Sequence, residues 1–268
     1  MRRVAALVVV GLIVSLATAA FVPAITFGEN DNGRHPFVGA LVGELQGDKF
    51  QLCSGTLVSP TVFVTADRCL FGLEESGITG VWVTFDDVID ADEDGIVDPG
   101  VTLRTGTGHV VPRARNPHLL EALDVAVFVL DTPVTMANYG QLPTAALLDT
   151  VNKLTARFTT VGYGTVRDDK TKSFQSIGLG TRRKLTTQEM EALTGAWVQF
   201  SQNPSTDNGG TCYGDPGGPH FLGAGASETR IIVSVTVTGD IFCRATDKTY
   251  RLDTPQARSF LDDFVTLP

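Results

Sequence analysis

Short apolar runs bounded by Gly, Pro, Asn and Asp recur along the chain and predict β-strands. The run Val125–Leu130 is apolar at every position, which is typical of a strand buried on both faces. The other predicted strands are Phe37–Leu45, Thr61–Thr65, Val81–Phe85, Arg157–Val161, Trp197–Phe200 and Ile231–Val237. The pattern over Gln188–Leu193 fits either a helix or a strand. Asp131–Thr144 is the least patterned stretch and is the candidate linker between two halves.

Only the C-terminus has the pattern of a helix. Thr254 is a suitable N-cap, and Pro255 suits the first helical position. Apolar residues then recur at helical spacing: Ala257, Phe260, Leu261 and Phe264. We therefore predict a helix over 255–265.

Composition agrees with a turn-rich β protein, because the 268 residues include 28 Gly and 13 Pro. Hydrophobic residues make up 43% and charged residues 19%, which is enough for a packed core and excludes wholesale disorder. The chain carries 30 acidic and 21 basic residues, a formal charge of −9. This net negative charge argues against a surface that binds nucleic acid.

The N-terminus is typical of a secretory signal peptide, with Arg2 and Arg3 followed by the apolar run Val4–Ala17 and then by small residues. Cleavage after Ala19, Ala20 or Ala24 would release a secreted protein, and retention as an anchor is the alternative. In an extracellular chain, the four cysteines favour two disulfides over a metal site. Composition alone leaves three pairings open for Cys53, Cys69, Cys212 and Cys243.

Four separated segments of the chain carry recognisable motifs: Cys53–Cys69, Asp124–Val127, Asn208–Pro219 and Tyr250–Asp253. Together they resemble trypsin-like serine proteases of the secreted bacterial type. The segments stand in the family's order, and their agreement is far more specific than any one short motif.

The resemblance implies an all-β fold of two antiparallel six-stranded β-barrels, chymotrypsin-like, with a short C-terminal helix. The N-terminal barrel would span about 25–140 and the C-terminal barrel about 141–254 of a domain over 25–268. The active cleft would lie between the barrels. The resemblance also implies the disulfides Cys53–Cys69 and Cys212–Cys243.

Two of the three catalytic positions that the resemblance implies carry the wrong residue type. Arg68 stands where the family has its histidine, and a guanidinium stays protonated and accepts no proton. Pro216 stands at the nucleophile's position and has neither a hydroxyl nor a backbone N–H, which leaves Gly214 as the one oxyanion donor. Asp124 keeps the family's acid. We therefore predict an inactive homologue.

No other residue is an evident replacement. The four histidines, His35, His109, His118 and His220, lie outside the motifs that the family places beside its nucleophile. Ser54 and Thr211 have ordinary loop interpretations. We expect Arg68 to pair with Asp124 in a bidentate geometry. The alternative is that Arg68 points into solvent while Asp124 accepts backbone donors.

Two further features follow from position within the resemblance. Asp215 corresponds to the carboxylate that pairs with a new N-terminal amine in active members, and cleavage after Ala24 would expose Ile25. Gly210 is expected at the base of the specificity pocket. Residues 237–239, namely Val237, Thr238 and Gly239, are expected along its wall. This pocket offers no acid to a basic side chain, so an apolar or small side chain is the expected ligand.

The segment 90–98 is rich in carboxylates at alternate positions, which is typical of the opening of a calcium loop. The candidate ligands are Asp90, Asp92, Asp94 and Asp98. The twelfth position is Val101 rather than Glu, which excludes a complete EF-hand. A solvated acidic turn is the alternative. We expect no required cofactor. Calcium is the one optional ligand that the sequence suggests.

Three functions compete on the sequence alone. The first is a secreted, inactive homologue that binds a peptide or protein in the inter-barrel cleft. It would be a monomer and would bind neither nucleic acid nor, after signal cleavage, a membrane. The second is an active serine endopeptidase with an unrecognised nucleophile or with sequence errors at Arg68 and Pro216. The third is a calcium-bound structural surface protein.

Overall fold

The computed structural model describes residues 25–110, 123–167, 177–178 and 180–268. The predicted signal peptide and His118 lie outside the described residues. Within the described ranges, no helix is long and apolar enough to cross a membrane.

The described residues form fifteen strands and one α-helix. In chain order the elements are β1 Glu29–Asn30, β2 Val38–Leu45, β3 Asp48–Leu57, β4 Val62–Thr65, β5 Gly80–Thr84, β6 Gly106–Val110, β7 Ala126–Leu130, β8 Arg157–Gly162, β9 Val166–Arg167, β10 Ile177–Gly178, β11 Lys184–Leu193, β12 Trp197–Ser201, β13 Pro219–Leu222, β14 Ile232–Gly239, β15 Thr246–Arg251 and α1 Pro255–Leu261.

The first sheet is antiparallel with the strand order β5-β2-β3-β4-β7-β6. Its longest hairpin joins β2 to β3 through Gln46 and Gly47, whose φ angles are +57° and +99°. Two positive φ values match the right-handed twist of the flanking strands, which is why glycine suits the second position. Leu41, Phe63 and Val127 are fully buried inside this sheet.

The second sheet closes on itself. Its order is β1-β11-β12-β15-β14-β13-β8, and β8 also pairs with β11. Its interior is more polar than that of the first sheet, since His220, Asp247 and Gln188 are completely buried there. The fold is therefore the predicted pair of antiparallel six-stranded barrels, with the two-residue β1 added at the edge of the second.

The predicted strands are confirmed, with boundaries that shift by one or two residues. The ambiguous stretch Gln188–Leu193 belongs to strand β11, because pairing with both β8 and β12 outweighs its local pattern. The helix ends at Leu261, four residues earlier than predicted. Residues 131–144 carry no named strand and connect the two sheets, as expected of a linker.

The N-terminal segment does not stay with the first barrel, to which sequence position assigned it. β1 pairs with β11, and Thr26 bridges Gly210, so residues 26–30 extend the second sheet. The physical reason is that these residues satisfy backbone groups of the second sheet that would otherwise be unpaired.

Candidate functional site

Pro216 lies in a tight turn that joins the two barrels. The Asp215 carbonyl accepts the Gly218 N–H at 2.8 Å, and the Pro216 carbonyl accepts the Ser54 N–H of β3 at 2.9 Å. Gly217 has φ +82°, and a Cβ atom there would lie 2.0 Å from Thr65 Oγ1. Only glycine therefore allows the turn to approach the first sheet this closely.

Arg68 faces this turn from the first barrel. It lies in a single 3₁₀ turn, Asp67–Cys69, that follows β4. The disulfide Cys53–Cys69 anchors the turn to β3. Strand β4 before Arg68 and the disulfide directly after it therefore fix the backbone of this residue beside the cleft.

The expected pairing of Arg68 with Asp124 is present in the structure. Arg68 Nε and Nη2 donate to the same oxygen, Asp124 Oδ2, at 2.9 and 2.7 Å. Asp124 Oδ1 accepts the Arg68 backbone N–H at 3.3 Å. The pair thus uses two guanidinium nitrogens on one carboxylate oxygen rather than the expected two-oxygen fork, because the second oxygen is engaged by the backbone.

The three described histidines have partners of their own. His35 contacts Asp31 and Glu228, His109 packs on Phe264, and His220 Nε2 lies 3.0 Å from Asp247 Oδ2. Among the described residues, no contact joins any of them to Pro216. A histidine base beside the nucleophile position is thus absent from the described part of the site.

The hydroxyls near the turn are also engaged. Ser54 is fully buried, and its Oγ accepts the Tyr163 N–H at 2.9 Å and donates to the Gly214 carbonyl at 3.3 Å. Thr211 Oγ1 accepts a hydrogen bond from Gln202 Nε2 at 3.4 Å. Both hydroxyls therefore have structural partners, as their loop interpretations suggested.

Gly214 is the residue that the resemblance predicts as the one remaining oxyanion donor. Its φ is +90°, and a Cβ atom there would lie 2.2 Å from Gln51 Oε1. Gln51 Nε2 donates to the Gly214 carbonyl at 2.5 Å, which fixes the peptide plane. Within the described residues, the Gly214 N–H donates to no acceptor.

Asp215 is completely buried beneath the turn. Its two oxygens accept the N–H groups of Gly164 and Cys212, each at 2.8 Å. Burial raises the pKa of Asp215 to about 7, and the two backbone donors offset only part of that effect. No cationic side chain pairs with it in the described part of the chain.

A cavity of about 310 Å³ lies beside Arg68 and the turn. Val237, Thr238 and Gly239 line it, as expected from their position. Gly210 does not line it, because the Gln202 side chain packs against this glycine, and Thr211 borders the space instead. No sequence pattern indicated a role for Gln202.

One acidic residue lines the cavity, contrary to expectation. Asp240 accepts backbone N–H groups of residues 242 and 244–246 at 2.7 to 3.2 Å. Burial alone would raise the pKa of Asp240, but these donors lower it below its usual value. Its charge is therefore largely satisfied within its own loop, so this residue does not make the pocket a receptor for basic side chains.

The two disulfides have the implied pairing. Cys53 is bonded to Cys69 and Cys212 to Cys243, and the chain has no other cysteine. The second bond closes the wall of the cavity. Two disulfides fit an extracellular protein.

The acidic loop brings three of its four candidate ligands together. Oxygens of Asp90, Asp92 and Asp98 lie within 4.8 Å of one another. Asp94 does not belong to this group, because its Oδ1 accepts the Ile96 N–H at 2.8 Å. Neighbouring carboxylates, Asp94 foremost, raise the pKa of Asp92. The three clustered carboxylates are therefore a candidate cation site.

A second charged cluster, which sequence patterns did not indicate, lies mostly inside the molecule, with Asp31, His35 and Arg183 buried and Glu228 half-buried. Arg183 Nε donates to Asp31 Oδ2 at 2.9 Å, and His35 Nδ1 lies 2.5 Å from Asp31 Oδ1. His35 Nε2 lies 2.6 Å from Glu228 Oε1. We call these four residues the buried network. His35 and Glu228, which contact each other, are 193 residues apart in sequence, so no local motif could have indicated the network.

The sequence model of the Trypsin family matches residues 25–257, and the chain belongs to this family. Among solved structures it is similar to HL collagenase, determined at 1.7 Å resolution, with a TM-score of 0.62 and 16% identity over 91% of this chain and 100% of that chain. At that identity the likeness concerns the fold alone, which is chymotrypsin-like. No curated protein matches the chain significantly.

Proposed function

We propose that this chain is a secreted trypsin-family protein without hydrolytic activity that binds a peptide or protein in the cleft between its barrels. The observation that carries the proposal is the Arg68–Asp124 ion pair at the position of the catalytic base, opposite Pro216. Arg68 and Pro216 both line the same open cavity.

The chemistry of acyl transfer supports inactivity. The reaction needs an attacking hydroxyl, a base that titrates near neutrality and an acid that orients the base. An enzyme without its triad retains about 10³–10⁴-fold over water through its oxyanion hole and binding. Pro216 also removes one oxyanion donor, which typically costs about 10²–10³ more. The remaining rate should be close to background.

Reaction with a fluorophosphonate probe tests the proposal directly, because labelling requires an activated hydroxyl. The secreted wild-type protein should remain unlabelled and should not cleave ester or amide reporters. An active trypsin-family enzyme serves as the positive control. Labelling of the wild type, or turnover that organophosphates inhibit, would favour the active endopeptidase instead.

Reversion of the two positions gives a sharper test. Arg68→His with Pro216→Ser should partly restore hydrolysis, because Asp124, Gly214 and the following glycines are retained. Neither single reversion should suffice, since members of a triad act as a unit. The matched control adds Asp124→Asn to the double reversion and should remove most of the regained rate. Equal activity with and without Asp124→Asn would show that the regained rate does not come from a triad.

A further inference from the structure

The cavity beside Arg68 is lined by both polar groups and apolar side chains. Arg68, Gly214 and Thr236 contribute polar groups to the lining. The exposed side chains of Tyr213 and Ile241 form what we call its apolar rim. A volume of about 310 Å³ accommodates one side chain together with part of a peptide backbone.

Arg68 presents an unused edge to this cavity. Its ion pair with Asp124 uses Nε and Nη2, whereas Nη1 makes no hydrogen bond within the described residues. The Arg68 side chain is 46% exposed, and the Asp124 side chain is 12% exposed. A guanidinium has five N–H donors in one plane. Asp124 therefore orients the group and leaves some of its N–H donors available to a ligand.

Two further residues of the lining carry a polar group without a partner. The Gly214 N–H has no acceptor in the described chain. Thr236 is 1% exposed, and its Oγ1 has no hydrogen-bond partner. A buried hydroxyl without a partner is costly, so a ligand that bonded to it would gain more than a solvent-exposed contact provides. Together the three residues offer N–H and O–H donors.

The rim supplies apolar contact. Tyr213 and Ile241 are large hydrophobic residues that line the cavity and remain exposed. The Tyr213 hydroxyl donates to the Ile241 carbonyl at 3.1 Å, which holds the two sides of the rim together. An aromatic and aliphatic rim around a cationic centre is typical of a surface that binds peptides.

We propose that the cavity binds the carboxylate of a peptide ligand on Arg68, with Gly214 and Thr236 as additional donors and with apolar neighbours of the ligand on the rim. This inference rests on the proposed function and names its ligand class. A carboxylate has four lone-pair sites and can accept from all three of these donors, whereas a neutral amide satisfies fewer of them. Asp240, the acidic residue of the lining, is already occupied by backbone donors of its own loop. The carboxylate belongs either to a Glu or Asp side chain or to a C-terminus.

Three fluorescent heptapeptide pools test the proposal with immobilised wild-type protein. All random positions are drawn from neutral residues. The first pool has Glu at the centre and an amidated C-terminus, the second has Gln at the centre and an amidated C-terminus, and the third has Gln at the centre and a free C-terminal carboxylate. We expect the protein to retain the first or the third pool at least about tenfold more than the second, a difference that corresponds to about 1.4 kcal/mol. Preference for the first pool identifies the side chain, and preference for the third identifies the C-terminus.

Arg68→Met should abolish that preference, and Arg68→Lys should retain part of it. Arg157→Met is the matched control, since Arg157 is 49% exposed and paired with Glu189 but lies away from the cavity. The control should bind like the wild type. Thr236→Val should weaken retention severalfold without a change in fold, which circular dichroism monitors.

The outcomes separate this inference from the proposed function. Equal retention of all three pools, or an undiminished preference in Arg68→Met, overturns the carboxylate inference while the inactive binding protein stands. No retention of any pool overturns both the inference and peptide binding. Fluorophosphonate labelling contradicts inactivity alone, because it does not depend on which peptide binds.

Discussion

Two arginine–carboxylate pairs occupy different surroundings in this molecule, and the difference separates a binding group from a structural one. Arg183 is 2% exposed on its side chain, and its three nitrogens contact Asp31, Asp87, Tyr163 and two backbone carbonyls. Arg68 is half-exposed and uses only two of its nitrogens on Asp124. All three guanidinium nitrogens of Arg183 are engaged by protein groups, so none is available to a ligand. Arg68 lines a cavity and retains N–H donors that no group in the described chain uses.

The buried network also joins parts of the chain that belong to different sheets. Arg183 Nη1 donates to the carbonyl of Val38 in β2 of the first sheet at 2.9 Å. The His35 ring stacks on Phe221 in β13 of the second sheet, with ring centroids 5.3 Å apart. Burial lowers the pKa of His35, but the carboxylates of Asp31 and Glu228 outweigh that effect and raise it above its usual value. The raised pKa favours the charged form of the ring, which lies between two acidic residues from distant parts of the chain.

The largest effect should come from removing the acid of the buried network. Asp31→Ala leaves Arg183 and His35 without their shared carboxylate, and breaking a buried pair typically costs about 3–5 kcal/mol of unfolding free energy. Urea unfolding at constant m-value measures the loss. Glu29→Ala is the control, because its pair with Arg34 is exposed and should contribute less than about 1 kcal/mol. Similar losses for both variants would mean that the network is not a structural element.

A comparable effect should appear in the pH dependence of stability. Unlike Asp31, Asp215 lacks a cationic partner among the described residues, and its pKa is about 7 rather than the usual 3.8. The folded state therefore retains the proton where the unfolded state has lost it. The unfolding free energy should fall as pH rises from about 4 to about 7, by at most about 4 kcal/mol.

Asp215→Asn should remove this component, so the difference between wild type and variant isolates Asp215 from His35 and the other titrating groups. The mature N-terminus must be sequenced on the same material. A secreted chain that begins at Ile25 offers a new α-ammonium to Asp215, and its pH dependence should be smaller. An uncut chain whose stability is flat across this range would contradict the raised pKa.

Calcium should have an intermediate effect. The group Asp90, Asp92 and Asp98 has no Lys or Arg partner in the described chain, which distinguishes it from Asp31 and Asp124. At ten- to hundredfold above the dissociation constant, a native-state ligand adds about 1.4–2.7 kcal/mol. Calcium should raise Tm in the wild type and less in Asp98→Asn, with magnesium as the control. An unchanged Tm favours the solvated acidic turn.

The smallest effect should be the coupling between Arg68 and Asp124. A double-mutant cycle with Arg68→Met and Asp124→Asn should give about 1 kcal/mol, because solvent screens a half-exposed pair. The cycle for Arg157 with Glu189, a pair that is exposed on both sides, should give less. Zero coupling at Arg68–Asp124 would mean that Asp124 does not orient the guanidinium.

The local pattern was sufficient for most of the strands and for the start of the final helix. Alternating or continuous apolar runs decide which faces are buried, and the caps Thr254 and Pro255 fix where the helix begins. The pattern of Gln188–Leu193 fits both a helix and a strand, so the local sequence did not decide its structure. Pairing with β8 and β12 makes it a strand. The helix end was also missed, because no Gly or Pro terminates it in the sequence.

The sequence by itself determined the residue types at the candidate site. Arg68 accepts no proton and Pro216 has no hydroxyl in any conformation, so these conclusions needed no coordinates. Only the tertiary structure decided that Arg68 keeps a free edge, that Gln202 fills the space beside Gly210, and that Asp31, His35, Arg183 and Glu228 meet. Chemical identity is a property of a single residue, whereas saturation and burial depend on neighbours that the fold brings from distant positions in the chain.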